Sequence, residues 1–110
     1  MEKYQKISTN GLLIIDRKIL VVRRSKDEDF LAGYYEVPGG KVDFGEDPKN
    51  TIKREFSEEV NLKVDIKELY NVWTYISDEG RRHTVCIDYV LELKDNLKNL
   101  KLSNAHDDFK

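Results

Sequence analysis

With 110 residues, 39% of them hydrophobic and 36% charged, the chain has the size and composition of one small globular domain. Its net charge of −2, with both signs mixed, argues against a surface built for a nucleic-acid polymer, and its single cysteine, Cys86, excludes an internal disulfide framework and suits a reducing, cytoplasmic setting. No apolar run approaches the roughly 18 residues of a membrane span, and Met1-Glu2-Lys3-Tyr4 does not begin a signal peptide.

Ile7 to Ile15 and Lys18 to Arg23 are apolar, β-branched runs separated by Asp16-Arg17, the pattern of a hairpin. Residues 24–33 are polar and carry no period, which predicts a loop. Tyr34 to Val37 predicts a short strand, closed by Pro38-Gly39-Gly40. A strong helix signal follows. Asp47 suits the N-cap, Pro48 the first helical position, and Ile52, Phe56 and Val60 repeat at i, i+4, i+8 to face a sheet. Leu62 to Ser77 predicts one strand or two. Asp78-Glu79-Gly80 predicts a turn, and Arg82 to Leu93 a return strand in which Val85, Ile87, Tyr89 and Leu91 alternate. Lys94 to Leu102, rich in lysine and leucine, fits no regular element. Strands, one helix, then strands imply an α+β sheet domain with no repeat or internal linker.

The helix carries a second pattern. At roughly 100° per residue, Glu55, Glu58 and Glu59 share one stripe, with Glu59 at its boundary with the apolar face, where partial burial is expected. Like charges at these spacings repel, and a hard cation with oxygen ligands reverses that sign. The alternative is a solvated charged face balanced by Lys53 and Arg54. The third carboxylate, and the glycine-rich turn leading into the helix, weigh against that alternative.

Gly40 to Leu62 reads GKVDFGEDPKNTIKREFSEEVNL, which closely resembles the Nudix box at Gly40, Glu46, Arg54, Glu55, Phe56, Glu58, Glu59 and Leu62. Chance agreement at one start point is on the order of 10⁻⁸. The flanks resemble the family as well. Tyr35 to Gly40 looks like its aromatic-x-apolar-Pro-Gly-Gly approach to the box, and Arg23-Arg24 like its phosphate-binding arginines. Asn61 stands where the family has glycine. It is the non-glycine residue that best enters the left-handed region, so an intact cap strained by ~1 kcal/mol is expected. The family usually continues past His106-Asp107-Asp108-Phe109-Lys110 into a further strand and a C-terminal helix. Residues 1–110 are thus expected to form a single, C-terminally short Nudix domain. Its fold is the α/β/α sandwich of that family: a mixed β-sheet with the box helix on one face and the C-terminal helix absent from this chain. The uncovered face is expected to promote self-association.

The resemblance implies metal-dependent hydrolysis of a diphosphate bond in a nucleoside di- or triphosphate or a related nucleoside diphosphate derivative. It implies Mg²⁺ (or Mn²⁺) held by Glu55, Glu58 and Glu59 with the Gly39 carbonyl. Glu55 or Glu59 is implied as general base, Glu46 and Arg54 as groups orienting the ligands, and Arg24 as a phosphate clamp. For Glu46, favourable placement at the helix N-terminus is an equal alternative. Phe30, Tyr34 and Trp73 have the chemistry to stack on a base, although aromatics in a sheet protein more often fill the core. His83 reads as structural or exposed, and Cys86 as a small buried apolar group. His106-Asp107-Asp108 resembles a late loop that sometimes adds a metal ligand in the family, but its place in the chain predicts fraying. The expected partner is a small-molecule nucleotide, with no membrane and no nucleic-acid polymer. A catalytically silent nucleotide-binding domain is the competing class, and a fragment that folds only within an assembly is a third.

Overall fold

The computed structural model describes residues 2–25, 33–103 and 106–110, with Asp107 described by its backbone alone. The predicted loop and Phe30 therefore lie largely outside the described residues. β1 (Tyr4–Ile15), β2 (Lys18–Ile19), β5 (Gly39–Lys41), β6 (Val64–Ser77) and β7 (Arg82–Leu93) form a five-stranded mixed sheet in the order β2-β1-β7-β6, with β5 pairing with β1. The inner pair, β1 and β7, is parallel, and the other pairs are antiparallel. β3 (Val22–Arg24), β4 (Tyr35–Glu36) and β8 (His106–Phe109) form a second small sheet in the order β4-β3-β8. α1 (Pro48–Val60) lies between β5 and β6 in the chain.

The helix follows its sequence signals closely. The Asp47 side chain accepts from the Lys49 N–H at 2.8 Å, and Pro48 opens the first turn. Asn61 closes the helix in the left-handed region at φ 57, ψ 39, as its substitution for glycine requires. The last carbonyls do not remain orphaned. Val60 and Glu59 accept from the Lys101 and Ser103 amides, which ties residues 101–103 to the helix end. A 3-10 turn, Leu97–Asn99, capped by Asn96, organises the Lys94–Leu102 segment that sequence left unassigned.

Ile52, Phe56 and Val60 are fully buried against Leu13, Leu62, Tyr89 and Leu91. Phe56 can lie this close because Gly11 has no side chain. A Cβ there would overlap the Phe56 ring and the Leu91 methyl.

Two elements differ from the sequence reading. The run 18–23 divides, because the chain leaves the first sheet after β2 and joins the second at Val22. The Asp16-Arg17 turn does form, with both residues at positive φ (50 and 66), the twist a two-residue hairpin needs. Of the one or two strands expected over Leu62–Ser77, one long strand forms, its register with β7 shifting at Ile66/Glu68 and Leu69/Asn71. The alternation in β7 is broken at Tyr89, Val90 and Leu91, all buried, because an inner strand is covered on both faces at that end. β6, at the sheet edge, leaves Leu69, Tyr70, Val72 and Ile76 exposed. Among the described residues no helix is long and apolar enough to cross a membrane.

Replacing Phe56 with alanine removes the largest buried side chain of the helix. Chemical denaturation of Phe56→Ala should show a loss of roughly 3 kcal/mol or more. A loss below ~1 kcal/mol would mean that this face is not the packed one.

Candidate active site

The carboxylates of α1 part according to their depth. Glu55 and Glu59 point inward, with side chains 15% and 13% exposed, whereas Glu58 is 58% exposed. Pairing of β5 with β1 brings Gly39 and Gly40 beneath the helix. The Gly39 N–H donates to Glu59 Oε2 at 3.0 Å. Gly40 admits the Glu55 carboxylate against its backbone, where any Cβ would sit inside that carboxylate. The Gly40 carbonyl in turn accepts from the Thr9 hydroxyl at 3.1 Å.

One guanidinium organises the outer side. Arg54 meets Glu46 through two contacts, Nε to Oε2 at 2.9 Å and Nη2 to Oε1 at 3.0 Å. It also reaches Glu55 Oε1 at 3.0 Å, Glu58 Oε2 at 3.2 Å, Asp43 Oδ2 at 3.4 Å and the Lys41 carbonyl at 3.3 Å. Glu46 further accepts from the Thr51 hydroxyl at 2.7 Å and the Asp43 N–H at 3.2 Å. Arg54, then Thr51 and the Asp43 amide, hold its carboxyl down at about 2. The Arg54 charge is correspondingly secured above its ordinary range, chiefly by Glu46. Glu46 and Arg54 thus form a fixed brace behind Glu55 and Glu58.

The inner pair is electrostatically frustrated. Burial raises the Glu55 carboxyl above its ordinary value, against the pull of Arg54. Burial, and then the Glu55 charge, push Glu59 up from 4.5 to about 8. Two desolvated carboxyls in mutual contact favour a shared proton or a bound cation. Among the described residues no three His, Cys, Asp or Glu side chains already converge as a metal cluster, because Glu58 is turned to Arg54. The donor set nevertheless fits a hard divalent ion. It is all oxygen, partly desolvated and anionic.

Sequence reading did not single out Glu36 or Asp43, and it expected His106, part of the segment resembling a late metal-ligand loop, to fray. Glu36 on β4 and His106 on β8 are far from the helix in sequence, whereas Asp43 lies just before it and meets Arg54. Strand pairing carries the first two in: Arg24 lies opposite His106, and β3 also pairs with β4. His106 is buried, not frayed. Its Nε2 lies 3.0 Å from Glu36 Oε1 and 3.7 Å from Glu59 Oε1, and its Nδ1 has no hydrogen-bond partner among the described residues. Arg24 reaches Glu36 at 3.4 Å. A cleft of about 480 Å³ opens over these groups and across the sheet, with Arg24, Glu36, Glu59 and His106 at one end and Trp73 and Tyr75 at the other. Its size is that of a site for a small organic ligand. Tyr34 and Trp73 are 64% and 42% exposed, which corrects the expectation of core aromatics. Cys86 is buried as expected, while His83 contacts Gln5 at 3.1 Å on the surface.

A mixed sheet with an acidic, arginine-braced helix docked on a Pro-Gly-Gly strand defines a class of α+β domains with an oxygen-rich anionic site beside a cleft. A sequence profile of the NUDIX domain matches residues 6–109, and the chain belongs to the Nudix family. It is 31% identical over 87 residues, 79% of this chain and 50% of the relative, to an ADP-ribose pyrophosphatase of Methanocaldococcus jannaschii. It is 43% identical over 53 residues, 48% of this chain and 38% of the relative, to an 8-oxo-dGTP diphosphatase of Haemophilus influenzae. The chain thus spans half or less of the length of these curated relatives. The crystal structure of a MutT protein from Methanosarcina mazei superposes with a TM-score of 0.83 at 24% identity, covering 100% of this chain and 78% of that one, a likeness of fold.

The raised Glu59 carboxyl has a measurable consequence. The folded chain holds this proton more tightly than the unfolded chain, so the associated stability is complete below about pH 4 and is lost as pH rises through about 8. Glu55 shifts in the same direction. In metal-free buffer, urea denaturation should show stability falling by at least ~1 kcal/mol between about pH 5 and pH 8.5. Glu59→Gln should flatten that slope and be the more stable protein at the alkaline end.

Proposed function

We propose that this domain hydrolyses the diphosphate linkage of a nucleoside di- or triphosphate, or of a related nucleoside diphosphate derivative, with Mg²⁺ or Mn²⁺ bound at Glu55, Glu58, Glu59 and the Gly39 carbonyl. The observation that carries this reading is the buried Glu55–Glu59 pair, whose mutual repulsion and desolvation only a proton or a cation relieves. Family membership and the names of the relatives support a pyrophosphohydrolase. When bound, the cation supplies charge neutralisation of the diphosphate and activation of a water molecule.

The chain's own residues then have distinct tasks. The Gly39 amide fixes the Glu59 carboxylate, and the Glu46–Arg54 brace orients Glu55. Release of Glu58 from Arg54 requires only a side-chain rotation at an exposed position. Arg24, at the cleft wall, is the residue we assign to clamp a phosphate through two of its oxygens. Water attacks one phosphorus, the bridging oxygen departs with the other phosphate, and Glu55 or Glu59 accepts the water proton. Positioning and charge neutralisation supply the rate, as in other phosphoryl transfers.

Isothermal titration of Mg²⁺ or Mn²⁺ should register binding by the wild type and a marked loss in both Glu58→Gln and Glu59→Gln. Phosphate release from nucleoside triphosphates and ADP-ribose should fall roughly a hundredfold or more in Glu59→Gln. Unchanged metal binding in both variants would remove the assignment. Nucleotide binding without turnover under any divalent ion would instead make this a silent binding domain.

A further inference from the structure

β5, β1, β7 and β6 lie side by side beneath the cleft, with Lys41 opposite Ser8, Ser8 opposite Cys86, and Cys86 opposite Trp73. Three strand spacings make this row about 14 Å wide. Trp73 therefore stands across the sheet from the Glu55–Glu59 pair at β5, about the reach of a nucleotide extended from its phosphates to its base.

Trp73 is held there by a polar brace. Its indole N–H donates to Asp88 Oδ2 at 2.8 Å, and the Asn10 amide nitrogen donates to Asp88 Oδ1 at 2.9 Å. Asn10 and Asp88 are register partners on the two inner strands, so the brace is anchored on strands paired on both edges. The Tyr75 ring lies 5.6 Å away at 31°. Trp73 and Tyr75 keep 42% and 44% of their surface exposed. An aromatic pair held in a fixed orientation yet left open to water gains little from burial, and its open face is suited to stacking.

The hydrogen-bond inventory narrows what stacks. The Trp73 N–H is already engaged. A carboxylate accepts only, so the Asn10 amide must present its nitrogen to Asp88, which fixes the orientation of its oxygen. Asn10 Oδ1 then remains on the cleft wall as an acceptor with no partner among the described residues. A base that carries an exocyclic amino group satisfies it, whereas a carbonyl at the same place opposes it.

We propose that Trp73 and Tyr75, braced by Asp88, form the nucleobase platform of the cleft, and that Asn10 makes it selective for bases bearing an exocyclic amino group. This rests on the reading of the cleft as a nucleotide site. Because Trp73 is the single tryptophan of the chain, its fluorescence reports stacking directly. The probes are AMP against IMP and CMP against UMP in Mg²⁺ buffer, pairs that differ by amino for oxo and contain no diphosphate bond to hydrolyse. AMP and CMP should quench Trp73 and bind roughly 3–10-fold more tightly than IMP and UMP, the range of one hydrogen bond. Asn10→Ala should bring each ratio close to one while quenching persists, with Asn10→Ser as the second variant if the first does not fold. Tyr75→Leu should weaken all four ligands and leave the ratios intact. Absence of quenching, or ratios unaffected by both Asn10 variants, overturns the proposal. Phosphate release from ATP and ITP, measured in parallel, separates the two readings. Quenching and discrimination without release would remove the hydrolase and keep the platform, and release without quenching would remove the platform alone.

Discussion

Glu55 and Glu59 are pressed between α1 and a strand made of glycines, and much of the molecule is arranged around that contact. Gly40 leaves room for one carboxylate and the Gly39 amide grips the other. The helix can lie so close because Gly11 lets Phe56 sink onto the sheet. Packing and chemistry are therefore set by the same helix, with its apolar stripe buried and its acidic stripe at the rim. The contact is unfavourable for two bare charges, and the raised carboxyl of Glu59 is its signature. Stability is given up at this point for a site, as strained functional positions commonly require.

Around the pair, a graded set of polar groups separates what is fixed from what can move. Glu46, Thr51 and Arg54 form a closed network whose members each have several partners. Glu58 is held by one partner at an exposed position. On the opposite side, Glu36 and His106 come from a different sheet, so the site is completed only when β3, β4 and β8 assemble. The anchoring of Lys101 and Ser103 to the last turn of α1 places the approach to β8 by the same helix end that Asn61 closes.

What the sequence made legible was local. Asp47, Pro48 and Asn61 act on backbone groups within a turn of themselves, so the helix could be read to its ends. The stripe of Glu55, Glu58 and Glu59 follows from helical spacing alone, and the box resemblance supplied its chemistry. The orienting pair Glu46 and Arg54 was legible only through that resemblance, since eight residues separate them. Glu36 was invisible, and His106 was expected to fray, because their positions depend on strand pairing across tens of residues. The break at Leu20-Val21 escaped for a related reason: a continuous apolar run does not reveal that it serves two sheets. Trp73 was ambiguous, because alternation does not distinguish an edge strand facing a cleft from one facing a core.

The proposed metal site implies that the Glu55–Glu59 pair holds a proton in the free protein and exchanges it for a divalent cation. Calorimetric titration of Mg²⁺ near neutral pH, repeated in buffers of different ionisation enthalpy, counts the protons released. The account predicts release of about one proton per bound ion in the wild type and almost none in Glu59→Gln. Binding without proton release, or equal release by the variant, would contradict it.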